Sequence, residues 1–194
     1  MNKAVFLGKD GTLIRNVPNN IDPANIILDP YAIRAMQVLH QQDYMMFMIT
    51  NQPGIAQGNF SEADIHAAYV HIIKQLRAHG VKLHGFYYCP HHPQGKQWPY
   101  NTTCTCRKPQ PGMLLRASEE FNINLNTSWM IGDTLDDVEA GNRAGCKTVL
   151  IDNGNETGWN LAGQRKPGFV SHNLLEAADF IARRTSYGRL VEQL

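Results

Sequence analysis

The chain has 194 residues, and 18 Lys or Arg against 17 Asp or Glu leave a formal net charge of +1, too even to favour a nucleic-acid or membrane-surface partner. The length fits one domain with a full core, expected over residues 1–184 with a tail at 185–194, and 43% hydrophobic residues is ordinary for a globular protein. The most apolar run, Tyr44–Ile49, is far too short to span a bilayer, and a strand starting within three residues of the N-terminus leaves no room for a leader; a cytoplasmic monomer is the expectation.

The first strand is expected at 3–7, an apolar run that ends in Gly8-Lys9-Asp10-Gly11-Thr12 and so delivers an acid to a turn. Residues 15–29 are rich in Pro and Asn, without periodicity, and too long for a simple turn. A helix follows at 30–42 and a strand at 44–49. Ser61 with Asp64 resembles a capping box for a helix at 62–79, stopped at Gly80. A strand at 83–88 leads into a second irregular stretch, 89–109, and Pro111 then sits where the first turn of a helix at 111–121 accepts proline. A strand at 128–131, a helix at 135–144 and a strand at 147–151 come next. Residues 153–168 read as a peripheral excursion before a weaker strand near 168–171 and a helix at 173–184. Continuous apolar strands alternating with helices predict a doubly wound parallel α/β sheet covered on both faces. No internal repeat, low-complexity tract or second domain is visible.

In such a sheet the binding crevice lies at the carboxyl ends of the strands. There the sequence puts Asp10-Gly11-Thr12, then Thr50-Asn51-Gln52, and Gly132-Asp133 with Asp137 following; Arg107-Lys108 precede the helix at 111. Oxygen ligands suit Mg²⁺, while cations and N–H groups suit a phosphate. Each motif is weak alone, since "GD" after a strand is commonly only a turn. Their joint placement is what points to a site.

Order and spacing resemble the haloacid dehalogenase superfamily: strand–DxDGT, strand–T/SN, a lysine before a helix, and GDxxxD. Within it, "TNQPGIAQGNF", "YYCPHHPQG", "CTCRKPQPGMLL" and "MIGDTLDDVEAGNRAGCKT" are similar to the heptose-1,7-bisphosphate phosphatases, relatives of the histidinol-phosphate phosphatases. The likeness covers about residues 4–152. It implies a Rossmann-like fold without a large cap domain, and phosphomonoester hydrolysis through an aspartyl-phosphate. By this resemblance Asp10 is the acid/base residue and its backbone carbonyl faces Mg²⁺, Thr50 hydrogen-bonds the phosphate, and Lys108 neutralises it. Asp133 ligates Mg²⁺ with Asp137 nearby, and Asn51, Gln52 and Arg107 contact sugar or phosphate.

The four cysteines are Cys89, Cys104, Cys106 and Cys146, of which three fall between positions 89 and 106. In a reducing compartment that cluster is a metal site before it is a disulfide. Cys89-x-His91 and Cys104-x-Cys106 together suit tetrahedral Zn²⁺ in a closed, structural site. His92 rivals His91, and an accidental cluster is the bland reading; the family pattern favours His91. The metal would replace a hydrophobic core over 89–109 and hold Arg107-Lys108 at the crevice. Cys146, after a helix, reads as a small core residue.

Three positions depart from the family pattern. Gly8 stands where the resemblance requires the nucleophilic aspartate, Pro53 where these phosphatases often have a small hydroxyl residue, and Thr134 where some carry a lysine. The last two bear on specificity. Gly8 has no side chain to attack phosphorus or ligate a metal. The expectation is therefore a Mg²⁺-dependent sugar-phosphate phosphatase with one structural zinc and an impaired nucleophile position. The alternatives are a catalytically silent phosphosugar-binding member and a histidinol-phosphate phosphatase.

Overall fold

A computed structural model describes residues 1–17 and 21–191, with side chains as far as Tyr187. Six strands, β1 (Ala4–Gly8), β2 (Met45–Asn51), β3 (Gly85–Cys89), β4 (Trp129–Gly132), β5 (Lys147–Ile151) and β6 (Phe169–Ser171), form one sheet in the order β3-β2-β1-β4-β5-β6. Every strand pairing in the sheet is parallel, with Val5 opposite Trp129 on one side of β1 and Met46 on the other. The chain order reverses at β1, so the ends of β1 and β4 open the crevice that a doubly wound sheet offers to a ligand. No cap domain is inserted among the described residues.

Alternate residues of each strand serve two cores. Val5, Leu7, Met46, Met48 and Ile131 pack against helices α1 (Ala32–Gln41), α3 (Glu62–Arg77) and α6 (Leu174–Val191). Ala4, Phe6, Phe47, Ile49 and Met130 face α4 (Gly112–Phe121) and Ala140 of α5 (Leu135–Ala144). Burial on both faces is why β1 and β4 contain no polar side chain. Met45 to Ile49 belongs to this sheet, with Tyr44 buried just before it, and no helix among the described residues is long and apolar enough to cross a membrane.

Local signals held with small shifts. Ser61 and Asp64 form the reciprocal capping box of α3, which ends at Arg77, three residues before Gly80. Pro111 is the N-cap of α4, one position outside the helix. Two elements differ more. A five-residue helix, α2 (Pro53–Gln57), fills the turn after β2, with Pro53 at its first position. Helix α6 continues past 184 to Val191; residues 192–194 lie outside those described. The 15–29 loop folds back on the first turn, through Arg15 N–H to Ile27 O (3.0 Å) and Asp29 N–H to Leu13 O (2.9 Å).

Candidate active site

The site begins where β1 stops. The N–H groups of Leu13 and Ile14 both donate to Lys9 O at 3.0 Å, which folds residues 9–14 into a tight turn. Gly11 at its apex has φ +71°, and a Cβ there would lie 1.9 Å from Asp133 Oδ2, so only glycine lets the turn approach β4 this closely. Lys9 is 2% exposed and its ammonium holds both Asp10 oxygens, at 2.7 and 3.0 Å. The burial of Lys9 against Asp10 is a feature of the fold that no local sequence signal announces.

From β2 come Thr50 and Asn51. Asn51 uses both ends of its amide on the backbone of Lys108, accepting from its N–H and donating to its carbonyl at 3.0 Å each. Asn51 lines the crevice, but its polar atoms are already engaged in fixing the lysine. Gln52, 5% exposed, donates to Thr50 Oγ1 at 2.9 Å. It lies behind the crevice rather than on its wall, because a residue two positions from Thr50 has entered the turn to α2. Arg107 is also off the wall, with its guanidinium donating to His91 O at 3.3 Å.

The third side is built by β4 and α5. Lys108 is 7% exposed and forms a short ion pair with Asp137, 2% exposed. The other Asp137 oxygen accepts from Thr134 Oγ1 (2.8 Å) and Thr134 N–H (3.3 Å), the capping box that starts α5. Thr134 thus serves its own helix. Burial pushes the Asp133 carboxyl above its usual range and the Asp137 charge adds to this, while Asn155 opposes it.

The segment 153–168 is not peripheral at its start. Asn155 Nδ2 donates to Asp133 Oδ2 at 3.0 Å, and Asn153 Nδ2 reaches the same oxygen at 3.4 Å and Gly11 O at 2.8 Å. Glu156 Oε2 accepts from the Leu135 N–H at 2.7 Å, at the amino end of α5. These three residues follow β5, and adjacency of β5 to β4 carries them to the crevice. "Strand, then Asn-x-Asn-Glu" was the available signal. Asp10, Thr50, Lys108, Asp133 and Asp137 meet around a cavity of about 310 Å³. A larger groove of about 950 Å³ lies by Lys3, Tyr44 and Trp129 at the amino ends of the strands, and among the described residues no carboxylate lines it.

Beside the crevice, Cys89, His91, Cys104 and Cys106 place one ligand atom each within 4.8 Å of all the others. Sulfur–sulfur separations of 3.1 to 3.5 Å, and His91 Nδ1 at 3.4 and 3.6 Å from two sulfurs, form a compact four-cornered cage. Tetrahedral zinc with bonds of roughly 2.3 Å has edges of about 3.8 Å, so a small expansion admits it. The Arg107 N–H points at Cys104 Sγ (3.3 Å), a bond that supports a thiolate. Hydrogen bonding with Cys89 lowers the Cys106 thiol to about 5, and the same contact raises Cys89. His92 is turned elsewhere, its Nδ1 accepting from Gln94 N–H at 3.2 Å. Cys146 is buried in the second core, and burial alone raises its thiol to about 12.

A family model described as HAD-hydrolase-like matches residues 105–177. The D-glycero-beta-D-manno-heptose-1,7-bisphosphate 7-phosphatase of Pasteurella multocida (strain Pm70) is 44% identical over 161 residues, 79% of this chain and 84% of its own. The enzyme of that name from Haemophilus ducreyi is 36% identical over 187 residues, 92% of this chain and 98% of its own. Among solved structures, the D,D-heptose 1,7-bisphosphate phosphatase of B. bronchiseptica, complexed with magnesium and phosphate, has a TM-score of 0.79 at 26% identity, over 95% of this chain and 99% of that one. A putative HAD-like phosphatase from Mesorhizobium loti reaches 0.81 at 29% identity, over 95% and 87%.

Proposed function

Because the chain belongs to the D-glycero-beta-D-manno-heptose-1,7-bisphosphate 7-phosphatase family, we propose that its crevice receives the phosphate of a small phosphorylated sugar. The 7-phosphate of D-glycero-D-manno-heptose 1,7-bisphosphate is the leading candidate. The observation that supports this most is the meeting of Asp10, Thr50, Lys108, Asp133 and Asp137 around one cavity at the switch point of the sheet. Thr50 hydrogen-bonds the phosphate and the Lys108 ammonium neutralises it. With an aspartate at position 8 to attack phosphorus and carry the phosphoryl group, Asp10, oriented by Lys9, would protonate the leaving oxygen and then take a proton from the water that hydrolyses the aspartyl-phosphate. The Asp10 carbonyl and the Asp133 carboxylate, with Asp137 beside them, form an all-oxygen donor set of the kind Mg²⁺ requires. When bound, that ion supplies charge neutralisation on the phosphate. The Cys89, His91, Cys104 and Cys106 cage holds a structural zinc, since four protein ligands leave no position for water. We read the protein as a cytoplasmic monomer with no nucleic-acid or membrane partner.

Gly8 presents nothing to attack phosphorus. The chain therefore binds phosphorylated sugar and turns it over at least about a thousandfold more slowly than its Gly8→Asp version, the residual rate coming from binding and electrostatics. A catalytically silent phosphosugar-binding member is the second reading, and Gly8 is the observation that favours it. The test is phosphate release by both proteins from sugar bisphosphates, histidinol phosphate and nucleoside monophosphates. Sugar bisphosphates are expected to lead for Gly8→Asp. Equal rates for the two proteins would show that position 8 is not the nucleophile slot, and a preference for nucleotides would overturn the sugar assignment.

A further inference from the structure

We infer that Thr12 is a positioning residue for the side chain at position 8: its hydroxyl is a donor for a carboxylate there, and Gly8 leaves it stranded. This rests on the functional reading above, which makes position 8 the nucleophile slot. Thr12 is 1% exposed, and its Oγ1 is one of two buried side-chain polar atoms without a hydrogen-bond partner among the described residues. A buried hydroxyl left unpaired is costly, so its persistence calls for a cause. The cause lies one contact away. A Cβ built on Gly8 would stand 2.9 Å from Thr12 Oγ1 and 3.3 Å from Thr12 Cβ, nearer than any other atom. The next neighbour, Gly132 Cα at 3.6 Å, is in ordinary contact.

Gly8 itself is not required by its backbone. It is the last residue of β1, paired with Ile49, and it does not have the left-handed φ found at Gly11. An L side chain fits there with only a small shift of Thr12 Oγ1, because the atom that must give is the tip of a short side chain rather than main chain. A carboxylate at position 8 would bring an acceptor to the unpaired Thr12 hydroxyl beside it. Thr12 is held by the turn in which Leu13 and Ile14 bond to Lys9 O. One carboxylate oxygen fixed by this hydroxyl leaves the other to face the cavity.

Melting of four proteins with their metals retained tests this: the present chain, Thr12→Val, Gly8→Asp and the double variant. Valine keeps the shape and removes the hydroxyl. In the present chain Thr12→Val is expected to raise the melting temperature by about 2–4 °C, since it deletes an unsatisfied group. In the Gly8→Asp background the same change is expected to lower it. Effects of one sign in both backgrounds, or none in either, would overturn the inference. If Gly8→Asp folds poorly, Gly8→Asn offers an acceptor of the same shape and carries the same sign test. In Gly8→Asp, Thr12→Val should reduce kcat at least tenfold with KM within twofold, and Thr12→Ser should restore it; an unchanged kcat would reduce Thr12 to a packing residue. A sign reversal in an inactive Gly8→Asp protein would refute the phosphatase reading and leave the Thr12 pairing standing.

Discussion

At the scale of single residues, the strongest demand in the crevice is the Lys108–Asp137 pair. Both partners are almost fully buried, and Asp137 also caps α5 through Thr134. Removing one member of a buried pair costs more than the pair contributes, because an uncompensated charge stays behind. Lys108→Met is therefore expected to destabilise by about 3 kcal/mol, a fall in melting temperature of roughly 6–12 °C for a chain of this size. Adding Asp137→Leu should recover part of that loss, and melting curves of the three proteins check both statements. Gly8 acts in the opposite direction on ligand binding. Two unit charges about 4 Å apart repel by at most roughly 4 kcal/mol at an effective dielectric near 20, so an absent carboxylate favours a phosphate dianion. Titration calorimetry should find inorganic phosphate bound at least as tightly by this chain as by Gly8→Asp in the absence of Mg²⁺. Clearly weaker binding by the present chain would contradict the charge argument.

At the scale of elements, His84 shows how the entry to β3 depends on protonation. Its Nδ1 accepts from the Met46 N–H at 3.1 Å, which requires that nitrogen to be unprotonated. Burial holds its pKa below the ordinary 6.5, and Lys82 and His40 lower it further. As pH falls, the unfolded chain takes up the proton first. The contribution of neutral His84 is therefore present above about 6.5 and lost as pH drops through its lowered value. Melting temperature between pH 8 and 5 should fall more for this chain than for His84→Asn, whose amide oxygen accepts the same bond. Using that variant as reference cancels the acid sensitivity of the cysteine cage. Elements also show where sequence signals end. The capping box of α3 was legible because both partners lie within one turn. The short α2 was not, since five residues carry too little periodicity to register.

At the scale of the molecule, the Cys-His cage and the crevice are joined by a short stretch of chain. Cys89 ends β3, Cys104 and Cys106 pack on the second core, and Arg107 and Lys108 follow directly. One tightly held zinc per chain is expected by elemental analysis. Stripping it, or Cys104→Ser, should lower the melting temperature and weaken phosphate binding together, because Lys108 loses the anchor preceding it. Unchanged melting with four titratable thiols would show that the cage holds no metal.

The alternation of apolar runs with helices dictated a parallel sheet, and the three strand-end motifs, the Arg107-Lys108 pair and the Cys-His tetrad were readable as chemistry. Each of these is local: a strand is a contiguous run, and the four ligands fall within positions 89–106. Only the tertiary structure decided which groups touch. Asn153 and Asn155 reach Asp133 across 20 and 22 residues because β5 lies beside β4, and nothing in the periodicity of the chain states that order. Asn51, Gln52 and Arg107 have the right chemistry for a substrate, and the fold also gives each a hydrogen bond to a neighbour that the sequence does not name. The unpaired Thr12 hydroxyl is the same lesson in reverse. Hydrogen-bond satisfaction is a property of three-dimensional neighbours, and a sequence names the donors without naming who accepts.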